Sequence, residues 1–172
     1  MIQLVITVIG IALAALLVIG GANYIHGDLG TRIVVQRTLD TQRDAILTAV
    51  AAYRASNSGL EPAQGVIDEA HPIAGFLPEG RVPSFTSTMT GLRWNNLNSP
   101  TGLCLDYTGD TPVDDGVLNG ILRFARSHAE RNPGTVSLGA DCEDEGTTDP
   151  SEMTPAFFGT PANSLAVRFR TM

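Results

Sequence analysis

MIQLVITVIGIALAALLVIGGANYIHG, residues 1–27, contains no Asp, Glu, Lys or Arg, and it runs without a spacer into a helical pattern that carries charge. As a helix rising about 1.5 Å per residue, Met1 to Tyr24 is long enough to cross a hydrocarbon core roughly 30 Å thick. A removable secretory signal carries a basic flank and a small-residue cleavage site, whereas the first basic residue here is Arg32. The stretch is therefore expected to be retained. The chain reads as a product already cleaved, whose apolar helix sits first in a bilayer and later packs against copies of itself. Gly10, Gly20 and Gly21 are its weak points, because glycine inside a helix costs about 0.5–1 kcal/mol relative to alanine.

From Asp28 the pattern changes. Val35, Leu39, Ile46, Val50 and Tyr53 recur at spacings of four, seven, four and three, which places them on one helical stripe. Arg37, Asp40, Arg43, Asp44 and Arg54 fall mostly off that stripe and are expected to form mixed ion pairs on the outer face, each worth a few tenths of a kcal/mol. The absence of a Ser- or Pro-rich spacer predicts one continuous spine rather than an anchor followed by a flexible linker. Its three segments are an apolar helix over 1–27, an amphipathic continuation over 28–58 ending near Asn57-Ser58-Gly59, and a head over 59–172.

Within the head, nine Pro and Gly residues from Pro62 to Pro100 predict a long connecting loop over 59–102 with short ordered pieces. Leu103, Leu105 and Tyr107 alternate with Cys104 and Asp106, as in a strand with one apolar face. Asp114 or Asp115 can cap a helix carrying Leu118, Ile121, Leu122 and Ala125, which Asn132-Pro133-Gly134 stops. A short strand follows at Val136 to Leu138, and the clearest strand alternates Leu165, Val167 and Phe169 with arginine and alanine. The expected fold is α+β, a long helical spine packed on a small antiparallel sheet.

Composition narrows the chemistry. All eleven basic residues are Arg, which removes any phosphate-loop, Schiff-base or general-base lysine. A net charge of −7 with scattered arginines gives no basic stripe for nucleic acid. Cys104 and Cys142, an even pair in the part that would face outward, predict a disulfide bracketing 104–142 in an oxidising compartment, worth about 4 kcal/mol on the chain-entropy account. They lack redox or zinc spacing. The acidic run Asp141, Glu143, Asp144, Glu145, Asp149 and Glu152 lacks EF-hand spacing and reads as a solvated face rather than a calcium site. Asp106, Asp110, Asp114 and Asp115 read as turn and cap residues. His26, His71 and His128 are widely separated; Ser127 and His128, adjacent on a helix, point in different directions, which argues against a catalytic triad. Arg93-Trp94 reads as a partly buried Trp ahead of a cation–π pair or a carbohydrate platform. No cofactor or metal is expected, and no enzymatic activity.

The uncharged N-terminal helix, its amphipathic continuation, Tyr24 at the end of the hydrophobic half, and the run Asp44-Ala45-Ile46, Ala49-Val50, Tyr53, Asn57, Leu60 and Pro62 resemble the type IV pilin superfamily over residues 1–62. Beyond that only the plan is similar, and Met1, the chain length and the wide cysteine loop look like the type IVb branch. The resemblance implies a processed, N-methylated Met1 and a filament core built from Ile2, Leu4, Val5, Ile6, Ile9, Leu13, Leu16, Leu17 and Tyr24. It also implies prepilin peptidase, inner-membrane assembly machinery, and other pilins or further copies of the chain as partners. The subunit would wait in the bacterial inner membrane and then enter an extracellular filament. One position departs from the pattern: where filament-forming pilins usually carry Glu, this chain has Val5, with Gln3 and Thr7 the nearest polar groups. That departure favours a minor pilin, a type II secretion pseudopilin or a divergent filament. A membrane-anchored binding domain that never polymerises, and more weakly a small anchored hydrolase, are the readings from other classes.

Overall fold

The computed structural model describes residues 29–97, 102–144, 146–158 and 164–170, apart from the side chain of Thr108, and its first helix, α1, is assigned as Ile2–Ser56. The side chains from Met1 to Asp28, and with them Met1, Ile2, Leu4, Val5, Ile6, Ile9, Leu13, Leu16, Leu17 and Tyr24, lie outside the described residues. Among the described residues no helix is long and apolar enough to cross a membrane.

The stripe expected on the spine is the one that is buried. Val35, Leu39, Ile46, Ala49 and Val50 are all within the core, and Tyr53 packs against its margin. The helix ends where the chain enters the left-handed region at Ser58 and Gly59, φ 56° and 83°, and the Gly59 N–H donates to the Arg54 carbonyl at 2.8 Å.

Strands β1 (Gly65–Val66), β2 (Leu92–Asn96), β3 (Leu103–Thr108), β4 (Val136–Gly139) and β5 (Ser164–Phe169) form one antiparallel sheet in the order β1-β2-β3-β5-β4. The register lines up Trp94, Leu105, Val167 and Leu138 in one row across the sheet, and Asn96, Leu103, Phe169 and Val136 in another. Because side chains alternate along a strand, these rows form one apolar face. Helix α2 (Asp115–Arg131) and α1 cover that face and pack on each other, giving two layers around one core. Asp114 caps α2, its carboxylate accepting from the backbone N–H groups of Gly116 and Val117 at 2.9 and 3.3 Å.

The other sheet face presents Arg93, Asn95, Cys104, Asp106, Ser137 and Arg168. Cys104 and Cys142 are bonded, with Cα atoms 5.9 Å apart, and this bond ties the acidic turn down over that polar face. Cys104, Ser137 and Arg168 are buried beneath it.

Two expectations change. The segment 59–102 is more ordered than a connecting loop: it contains β1, β2 and three short 3-10 turns at Ala74–Phe76, Pro78–Gly80 and Ser87–Met89. Its ordering is explained by side chains that satisfy its backbone. The Asn96 amide donates to the carbonyls of Pro62 and Ala63 at 3.2 and 2.8 Å, and the His71 ring bridges the Ala63 carbonyl and the Ile73 N–H. Asp40, in turn, does not serve an outer-face ion pair; it accepts a hydrogen bond from the buried His128.

Candidate functional site

The site of interest is the junction at which α1 meets the head. Residues 29–34 lie just past Asp28, which ends the uncharged segment, and Leu29, Ile33 and Val34 are exposed although Val35, one position on, is buried. An exposed apolar strip of this kind is a surface left for another molecule or for lipid.

Close packing fixes α1 against α2. Gly120 lies so near α1 that a Cβ placed on it would sit 2.7 Å from the Val35 Cβ and 3.2 Å from the Arg32 carbonyl oxygen. Further along, three polar side chains of α1 reach into the head. Asp40 accepts from His128 Nε2 at 2.7 Å, the Gln42 amide oxygen accepts from the Trp94 indole N–H at 2.9 Å, and the Gln42 amide nitrogen donates to the Ser84 carbonyl at 2.9 Å. Arg43 lies 5.0 Å from the centre of the Phe169 ring while pairing with Asp44 at 2.9 Å.

His128 is enclosed edge-on by Phe124 and Phe169, with ring centres 4.9 and 5.6 Å away. Burial holds it below the usual imidazole value of 6.5; the hydrogen bond to Asp40 opposes this, and the nearby Arg43 and Arg131 charges reinforce it. The neutral ring thus donates from Nε2 to Asp40, a structural use of the histidine. The Ser127 hydroxyl is turned to the Phe124 carbonyl at 2.9 Å. His71 lies in the 59–102 segment, held by its own backbone contacts, and His26 is outside the described residues.

On the opposite sheet face Asp106 has one buried carboxylate oxygen without a hydrogen-bond partner, and burial raises its pKa, with Arg93 lowering it and Asp141 raising it further. The acidic turn is shaped by its own carboxylates. Asp141 accepts from the backbone N–H groups of Glu143 and Asp144 at 2.8 Å each, and Asp144 accepts from those of Ala140 and Gly146 at 3.1 and 3.0 Å. Those two bonds hold the Asp144 carboxyl below its ordinary value. Among the described residues no group of three or more His, Cys, Asp or Glu side chains is placed to hold a metal ion.

The Arg93-Trp94 pair splits across the sheet. Trp94 is fully within the core beside Phe124 and Phe169, while Arg93 points to the other face and lies across from Asp106. The Asp40–His128 and Gln42–Trp94 contacts join residues 88 and 52 positions apart, a separation at which local sequence carries no signal. No protein-family model, curated protein or solved structure matches the chain.

Proposed function

We propose that this chain is a structural subunit of a type IV pilus-like extracellular filament, assembling through its N-terminal hydrophobic helix. The observation that carries the reading is the exposed strip Leu29, Ile33 and Val34, which resumes apolar surface beyond Asp28, where α1 joins the head. A helix serving only as an anchor gains from these residues only where they reach lipid, whereas a helix that packs against copies of itself gains from them outside lipid as well, because each copy buries its neighbour's strip.

In this reading the uncharged segment is solvated by lipid before assembly and by other copies afterwards, so no charged side chain has to be desolvated on transfer, the Met1 α-amine being the one charge carried with it. The head contributes a rigid platform. Its long helix is fixed by the Gly120 contact, by Gln42 and by the Asp40–His128 pair, and its far face is stapled by the disulfide. Prepilin peptidase and inner-membrane assembly machinery are the partners the reading requires, with the inner membrane and then the cell surface as locations.

Val5, standing where a carboxylate would pair with a neighbour's α-amine, favours a minor pilin or a type II secretion pseudopilin over the principal subunit of a long filament. Electron microscopy of sheared surface material, with peptide identification, tests the proposal. Filaments containing peptides of this chain support it; a chain that stays entirely in the membrane fraction of a filament-bearing cell refutes it.

A further inference from the structure

We infer that the groove between α1 and α2 docks the acidic turn 141–144 of a second copy of this chain, an inference that rests on the filament reading. The groove has a volume of about 550 Å³ and is lined by Leu29, Arg32 and Gln36 from α1 and by Arg123, Arg126 and Glu130 from α2, so three cations face one anion. Arg126 is engaged with the Met153 carbonyl at 2.7 Å, and Arg32 also has a partner. Among the described residues the exposed Arg123 guanidinium has no hydrogen-bond or ion-pair partner, and it is the charge offered to an incoming anion.

The chain supplies a matching anion. Asp141, Glu143 and Asp144 form an exposed acidic prominence that is held rigid by the Asp141 and Asp144 bonds to backbone N–H groups, by the Cys104–Cys142 bond, and by Arg168, which donates to the Glu143 and Asp144 carbonyls at 3.3 and 3.4 Å. A preformed shape loses little conformational freedom on docking. The prominence cannot fill its own groove, because the sheet stands between them: α1 and α2 cover the apolar face, and Cys142 is bonded to the polar one. Contact between two different surfaces of identical copies is heterologous, and where its rotation does not close it propagates into an open helical polymer. An anionic lipid headgroup offers the same charge, and the vesicle arm of the test below distinguishes it from the acidic turn.

The absence of lysine gives a direct test in the full-length protein. Arg123→Lys introduces one side-chain amine, and filaments assembled from isotopically heavy and light copies are treated with a zero-length carbodiimide and mapped by mass spectrometry. The expected product is a heavy–light amide from position 123 to Asp141, Glu143 or Asp144. Filaments that give no such amide, or give it to other carboxylates, overturn the docking while leaving the filament reading intact. If the cells make no filaments containing this chain, both fall together. Arg123→Glu and Glu143→Arg should each lower filament yield several-fold, and the double variant should restore it; failure of the double variant to restore it counts against the docking. Protection of the introduced amine only in vesicles containing phosphatidylglycerol would assign the groove to lipid and overturn the proposal.

Discussion

His128 is the residue at which the docking of spine to head is most sensitive to conditions. Its native pKa lies below the free value of 6.5, so the unfolded chain binds more protons as the solution is acidified. The stability contributed by the neutral ring is fully present above that value and is lost as pH falls from about 6.5 towards the depressed native pKa. Thermal unfolding of the full-length protein in detergent should show a midpoint that drops over this window, and His128→Gln should flatten that part of the profile. Asp40→Ala should cost about 1–3 kcal/mol at neutral pH, since it leaves a buried N–H without an acceptor. Sequence periodicity is enough to read Val35, Leu39, Ile46 and Val50 as core, and the acidic pair ahead of an apolar run is enough to narrow the cap to Asp114 or Asp115, of which the structure uses Asp114. Nothing comparable marks His128, whose partner is set by how two helices cross.

For the elements, the same contrast holds. β5 and β3 are legible because Leu165-Val167-Phe169 and Leu103-Leu105-Tyr107 alternate cleanly, whereas β2 is hidden: Arg93 interrupts it, Asn95 and Asn96 look like turn residues, and glycines and prolines crowd the approach. Asn96 is in fact buried, and its amide serves the Pro62 and Ala63 carbonyls. The close approach of α1 and α2 at Gly120 has no local signature, because a single glycine inside a helical run does not identify what packs against it. Gly120→Ala should therefore destabilise the head by about 1–3 kcal/mol through overpacking against Val35, even though alanine is the better helix former, and denaturant unfolding will read the sign. Breaking the staple by Cys104→Ala should cost about 2–5 kcal/mol and lower filament yield. Unchanged stability in both variants would show that neither contact holds the layers together.

For the whole molecule, a head packed around one core carries an uncharged segment, residues 1–27, that we propose as the filament core. Leu13→Asp would place a charge among packed apolar helices, at a cost of several kcal/mol per subunit, and should abolish filaments while the head still folds with its disulfide formed. Intact-mass measurement of native protein should find an N-methylated Met1. The most direct test of the central claim exchanges residues 1–25 for an unrelated transmembrane helix of equal length, with shearing and electron microscopy before and after. The account predicts that the exchanged protein remains in the membrane with a folded head, that filaments vanish, and that no subunit is released by shear. No filament containing this chain either before or after the exchange, with the folded head held at the membrane in both cases, would contradict the account and leave the chain an anchored domain.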